Sequence, residues 1–385
     1  MEGGNPHEST LITSLRNLPS QSRVVDTTDP LSRKQLDFIS KFPLEIFGYI
    51  ADHLFAATPP QKNHHGSIHS TKPPFSTVRG FMSASRPLHD MGMLRWVYLL
   101  TIRDSGDWEV VLKMTNSVRE LICLDGALDS SNQSVLNQFP HLHTVSINAH
   151  EDVYKNASGR FSYRDVFNLL PTSILRLEIT CAHGPDLSIM RIVRDHCPNI
   201  EVLRLGRCTM FNRIPACEFW LGFPFEHDAY IASHGIEDYA HSVAQEIVSL
   251  RRLKQLRLGV YLVPSATVLA HRAYHLREVA APVPVNWQQA LIDSGQQPAV
   301  NEPPDEPLLI EFYHRDEEAE SKFGPDTCSF CRDGFYEQSR ALERSASAVM
   351  KAMVPSLESV EWMDWFSPYH LGVSRCDVGP GAARV

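Results

Sequence analysis

One short template recurs from residue 118 to residue 362: an apolar residue, two others, an apolar residue, one other, an apolar residue. It is filled by Val118/Leu121/Cys123, Leu142/Val145/Ile147, Ile174/Leu177/Ile179, Ile200/Leu203/Leu205, Leu253/Leu256/Leu258, Leu276/Val279/Ala281 and Leu357/Val360/Trp362. The first positions stand 24, 32, 26, 53, 23 and 81 residues apart. The two longest intervals are close to two and three units of about 27 residues, the length of a strand-bearing repeat. Each such strand has one apolar face that it cannot bury alone. Stacking unit on unit buries all of those faces along one continuous core. The alternative is an α/β domain whose strands share the pattern without being repeats.

Helical periodicity fills several of the intervals. Apolar residues at three- and four-residue spacing mark Tyr163–Leu170, Leu187–Arg194 and Tyr239–Val248 as helices, each preceding a strand. A longer helix is expected from Glu337 to Met353, burying Leu342, Val349 and Met353 before the last strand. The order helix, turn, strand is the one a stacked repeat requires. The expected class is α/β.

The rest of the composition narrows the choice. Hydrophobic residues make up 43% of the 385 residues and charged residues 21%, which are globular values. A formal net charge of −9, with no Lys/Arg-rich run, speaks against nucleic acid, because neutralising phosphates needs a basic surface. Residues 1–30 are polar and lack an apolar central segment, and the apolar cluster Trp96-Val97-Tyr98-Leu99-Leu100 is far too short to span a bilayer. The eight cysteines are scattered, and free buried thiols are expected rather than a disulfide framework. The expectation is a soluble protein of the cytoplasm or nucleus.

Ahead of the template lies a different region. Residues 1–34 read as a disordered tail. Phe42-Pro43-Leu44-Glu45-Ile46-Phe47 then opens an amphipathic helix, with Pro43 suited to a first turn and Ile46, Ile50 and Leu54 recurring every four residues beside Phe47. Residues 57–74 read as an insertion, through Thr58-Pro59-Pro60 and Lys72-Pro73-Pro74. Its His64, His65 and His69 are read as solvated, since no carboxylate or cysteine nearby completes a ligand set. A second helix follows through Val78, Phe81, Met82 and Ser85, capped by Ser76 or Thr77 and ended by Pro87, and a third apolar pattern runs from Leu88 to Tyr98.

Residues 35–100 resemble an F-box. Phe42-Pro43-Leu44-Glu45-Ile46 is similar to the family's Leu-Pro-x-Glu-Ile opening, with Phe42 in place of the usual Leu. Ile50 and Leu54 follow on one helical face, and Phe81–Arg86 and Leu94–Val97 are similar to its closing part. The departures are that Phe, the 57–74 insertion and Pro87. Residues 101–385 resemble an irregular leucine-rich-repeat solenoid of alternating strands and helices, in which most units lack the usual asparagine.

No nucleotide-binding, zinc-protease or nucleophile-elbow motif is present. Cys328-Ser329-Phe330-Cys331 has zinc-knuckle spacing, with His314 upstream. No second pair matches it, however, and Cys217 or Cys376 would have to be recruited by the fold. No metal and no cofactor are assigned. Asp316-Glu317-Glu318 with Glu320 reads as a solvated charged face. The aromatic stretch 209–238 reads either as a substrate-facing loop or as packing over the array, and the Pro- and Gln-rich stretch 282–307 as a linker.

The F-box resemblance implies a non-catalytic role. Such proteins bind a Skp-family adaptor, and through it a cullin, and present a protein substrate for ubiquitin transfer by other subunits. By that resemblance Phe42, Pro43, Leu44, Ile46, Ile50 and Leu54 bind the adaptor, and the strand face of the repeats meets the substrate. Two rival readings are an F-box/repeat scaffold outside a ligase and an α/β enzyme with a deep pocket.

Overall fold

The computed structural model of the chain describes residues 43–60, 67–208, 218–221, 235–263 and 332–379. Expectations for Phe42, the 1–34 tail, His64, His65, the strand at 276–281, the 282–307 linker, His314, the 316–320 acids, Cys217 and the Cys328/Cys331 pair lie outside these residues.

Among the described residues three helices come first: α1 (Leu44–Leu54), α2 (Phe75–Ala84) and α3 (Arg86–Trp96). Ala51, Phe55, Val78, Met82 and Trp96 form their own small core. Gly92 makes it possible. A Cβ there would lie 2.7 Å from Met82 Cγ and 2.8 Å from Phe55 Cζ. Pro74 occupies the position before α2, so neither Ser76 nor Thr77 caps it. Ser85 instead separates α2 from α3 in extended conformation, and its Oγ accepts from the Leu88 amide at 3.4 Å. Pro87 therefore opens α3 rather than ending a helix. In a first turn its missing N–H and fixed φ cost nothing.

The remaining elements build a mixed α/β unit around a mostly parallel eight-stranded sheet. They are β1 (Leu99–Ile102), the short α4 (Trp108–Val111), β2 (Glu120–Cys123), β3 (Thr144–Asn148), the hairpin β4 (Val153–Lys155) and β5 (Phe161–Tyr163), then β6 (Arg176–Ala182), α5 (Asp186–His196) and β7 (Val202–Arg207). After these come α6 (Glu218–Leu221), α7 (Ile236–Ile247), β8 (Gln255–Tyr261), α8 (Glu337–Met353), β9 (Ser359–Asp364) and β10 (Gly372–Asp377). The order across the sheet is β1-β2-β3-β6-β7-β8-β9-β10, with only β10 antiparallel. The sheet starts at Leu99, so its first strand straddles the boundary expected at residue 100.

Six of the seven templates are strands of this sheet. Their middle residues are laterally paired in one row: Leu121, Val145, Leu177, Leu203, Leu256 and Val360. All six are fully buried, as are the first positions from Val118 to Leu357. Each strand begins the same way. The amides of Arg119 and Glu120 both donate to the carbonyl of Tyr98, those of His143 and Thr144 to Arg119, and those of Leu175 and Arg176 to His143. Glu201 and Val202 donate to Leu175, Lys254 and Gln255 to Glu201, and Glu358 and Ser359 to Lys254, all at 2.7–3.2 Å.

Strands added in chain order, each by a crossover of the favoured hand, place their connections on one side of the sheet. Burial agrees. The template face packs under Met190 and Val193 of α5, Ala240, Val243, Ala244 and Ile247 of α7, and Ala346 and Met350 of α8. Helix α8 has the expected bounds, but Ala346, Ser347 and Met350 are its deepest residues, and Leu342, Val349 and Met353 are partly buried beside them. Ser347 Oγ also accepts from buried Trp362 Nε1 at 3.0 Å.

The helix expected at Tyr163–Leu170 is absent. Tyr163 ends β5 and the rest is irregular. Its backbone bonds are made elsewhere: the Arg164 amide donates to Asp152 O and the Asn168 amide to Gln133 O. Val166, Phe167 and Leu170 are buried all the same. Their spacing fits a helix, but an irregular segment laid over the core buries them equally well.

Candidate functional sites: the outer face of the first helix and the polar strand face

The apolar residues of α1 divide between two faces. Phe47 and Ala51 are buried, and Leu54 is half-buried against the core that Ala51 helps to form. Leu44 is 60% exposed, Ile46 42%, Tyr49 69% and Ile50 42%. The single stripe expected through Ile46, Ile50 and Leu54 is thus corrected. A step of four residues overshoots a 3.6-residue turn by about 40°. Two steps rotate the row from the outer face at Ile46 to the core edge at Leu54. Pro43 stands exposed immediately before the helix.

Arg95 of α3 fixes the position of α1. Its Nε donates to Asp52 Oδ1 at 2.7 Å, its Nη2 to Gly48 O at 3.2 Å and its Nη1 to Met91 O at 3.1 Å. The outward face is therefore carried on a braced helix.

The segment before α2 is also anchored. His69 is buried, not solvated, with Nδ1 3.4 Å from Glu120 Oε2. The Ser70 amide donates to Oε2 at 2.8 Å and its hydroxyl to Oε1 at 2.7 Å. Burial pushes the Glu120 carboxyl up, but His69 and Ser70 together outweigh it and hold the group below the usual range. The carboxylate that sequence proximity did not supply to His69 comes from the first residue of β2, brought in by the fold.

On the sheet face opposite the helices, another laterally paired row is polar: Ser146, Glu178, Arg204, Arg257 and Glu361. Ser146 Oγ donates to Glu178 Oε2 at 3.1 Å, and Arg204 Nη1 lies 3.7 Å from Glu178 Oε1. Arg257 Nε donates to Glu361 Oε2 at 2.8 Å. Burial and the neighbouring Arg257 together push the Arg204 guanidinium below its ordinary range, against Glu178 and Glu361. Arg204 and Glu361 are buried. This face was expected to meet a substrate, yet its charges are paired with one another and largely withdrawn from water.

The carboxyl ends of the strands are more open. Leu124 follows β2 there, and Tyr154 and Tyr163 of the β4–β5 hairpin are exposed. A cavity of about 170 Å³ beside the hairpin is lined by Asp152, Tyr163, Arg164, Ser188 and Ile189 among others. It is smaller than the roughly 300–1,000 Å³ usual for a substrate pocket. Burial, opposed by Arg207, pushes the Tyr163 phenol up to about 12. Of the aromatic stretch 209–238, Phe219 is buried, with its ring 5.3 Å from that of Phe161 and 4.7 Å from that of His183, so this residue serves packing.

Compared with known proteins, the chain matches no family model, no curated protein and no solved structure. Among the described residues no helix is long and apolar enough to cross a membrane. Ligand-type side chains do gather among them, again at the carboxyl ends of the strands: His150, His183 and Cys208, all with ligand atoms within 4.8 Å of one another. No sequence motif announced these three.

Proposed function

We propose that the chain is the substrate-recognition subunit of a Skp-cullin-F-box ubiquitin ligase, with an F-box at 35–100 and a leucine-rich-repeat-like solenoid after it. The observation that carries the reading is the outer face of α1. Ile46, Tyr49 and Ile50 form an exposed apolar patch, with Leu44 at the helix tip, on a helix that Arg95 holds rigidly. Exposed apolar groups gathered on one element mark interaction surfaces. The adaptor would cover that patch, and Pro43 and Leu54 would flank the contact.

Strand order supports the solenoid part. Ligand sites in open α/β enzymes form where the strand order reverses. Among the described residues the sheet runs β1-β2-β3-β6-β7-β8-β9-β10, in chain order with no reversal. The buried ion ladder moves the expected substrate contact from the middle of the strand face to the exposed residues at the strand ends.

The test is co-purification of the full chain with a Skp-family adaptor and a cullin, using Leu44→Asp and Ile50→Asp as folded controls. Failure of the unmutated chain to retain the adaptor would end the ligase reading. Retention of adaptor without cullin would favour a scaffold outside a ligase.

A further inference from the structure

We infer that His150, His183 and Cys208 form a three-ligand site for a divalent transition metal, zinc by the chemistry of its donors. The three residues follow three adjacent strands. His150 lies two residues beyond β3, His183 one beyond β6 and Cys208 one beyond β7, and these strands are neighbours in the sheet. Parallel strands bring their carboxyl ends to one rim, so the three side chains converge without any short motif. Their ligand atoms all lie within 4.8 Å of one another. Tetrahedral zinc spaces nitrogen and sulfur donors roughly 3.3–3.8 Å apart. The donors would draw together from this spacing as they close on the ion.

The donor set selects the ion. Two imidazoles and a thiolate suit zinc, or copper, and do not suit magnesium or calcium, which take oxygen. Cys208 and the His183 side chain are buried. On binding, the Cys208 thiol gives its proton to solvent and the sulfur bonds the metal as thiolate.

Each histidine is set up differently. His183 Nδ1 lies 2.7 Å from Asp152 Oδ1. Asp152 Oδ2 accepts from the His183 amide at 2.7 Å and the Gly184 amide at 2.6 Å. An acceptor so placed keeps the proton on Nδ1 and makes Nε2 the basic nitrogen, which is how carboxylates orient metal-binding histidines. Gly184 permits this approach, since a Cβ there would sit 3.2 Å from Oδ2. His150 has Asp125 Oδ2 at 3.8 Å from its Nδ1, while its Nε2 is buried with no hydrogen-bond partner. The two rings stand 4.9 Å apart. A metal gives that nitrogen the partner it lacks.

The repeat explains the alignment. His150 is the eighth residue after Leu142, and Cys208 is the eighth after Ile200. His183 is the ninth after Ile174, and the extra residue is taken up by the irregularity between Ile179 and Ala182, where Cys181 adopts φ 56°. Bulges of this kind re-aim a strand end. The three ligands thus hold equivalent places in three units, and the metal would tie those units together at the rim. This inference stands apart from the ligase reading.

The test is titration of the full chain, made without a histidine tag and stripped by chelator, with cobalt(II). A single equivalent should bind with a thiolate-to-cobalt charge-transfer band. The band should vanish in Cys208→Ser, and affinity should fall by roughly tenfold or more in His150→Ala. A Cys328→Ser/Cys331→Ser variant should keep the band. Absence of the band from the unmutated chain overturns the inference. So does a band that survives Cys208→Ser or disappears with the Cys328/Cys331 pair. Should Cys208→Ser fail to fold, His150→Ala decides alone, because its side chain reaches the surface; unchanged cobalt affinity then overturns the site.

Discussion

Glu120 accepts two hydrogen bonds from Ser70, one from the amide at 2.8 Å and one from the hydroxyl at 2.7 Å, across fifty positions of chain. That double contact fastens the segment before α2 to the first residue of β2. Hydrogen bonds to a charged group contribute about 1.5–3 kcal/mol each. Glu120→Gln should therefore destabilise the chain by about 2 kcal/mol near neutral pH. The folded carboxyl titrates below its ordinary value of 4.5, so its contribution is fully present above that value and is lost as pH falls through the lower folded one. Urea unfolding of both proteins at neutral pH and at about pH 3 checks this. A gap that stays constant between the two conditions would contradict the charge-dependent contact.

The two faces of α1 should separate stability from binding. Ile46→Asp changes an exposed side chain and should alter stability by no more than about 0.5 kcal/mol. Phe47→Ala, one residue on, removes a buried aromatic side chain and should cost about 3–5 kcal/mol. Thermal melts give the first comparison. Under the ligase reading, adaptor capture is lost in the stable Ile46→Asp protein.

Gly92→Ala is expected to be costly although alanine is the better helix former. The added methyl meets Met82 and Phe55 at under 3 Å. Overpacking of this sort costs about 1–3 kcal/mol, more than the roughly 1 kcal/mol gained in helix propensity. Equilibrium denaturation that shows a net gain in stability would mean the helical core yields more readily than its geometry indicates.

The Arg257–Glu361 pair should show strong coupling. Removing one partner leaves a buried charge uncompensated, at about 3–5 kcal/mol, whereas replacing both with apolar residues is often nearly neutral. Arg257→Met and Glu361→Leu should each destabilise, and the double variant should recover most of the loss. A double-mutant cycle measures the coupling, and simple additivity would argue against the pair.

Much of the sheet was legible because its signal is short and local. Leu177 and Ile179 announce a strand within six residues, and β6 forms there. The helices at 186–196, 236–247 and 337–353 were equally open to reading, since their periodicity persists for three turns or more. Val166, Phe167 and Leu170 carry helical spacing without forming a helix, because that spacing reports burial as readily as helicity. The division of α1 does not show in a four-residue row, because its drift emerges only over two turns. His69 and Glu120 were unreadable as partners because nothing in sequence joins positions fifty apart. The trio His150, His183 and Cys208 was hidden for a related reason: its period is that of the repeat, so a search for ligands within a few residues passes over it.

Six strands of the sheet open on a carbonyl shared by two consecutive amides. Ser146 and Glu178, paired across β3 and β6, are 32 positions apart, and Arg257 and Glu361, paired across β8 and β9, are 104 apart. Both strand pairs nevertheless begin with two consecutive amides on a single carbonyl. The framework thus measures only where a strand starts, not how much chain was spent reaching it. Since closing a longer loop costs only about 0.6 kcal/mol per doubling, such an architecture can gain or lose whole insertions between units while every rung stays in place. A lineage built on it can edit the connections and leave the frame untouched.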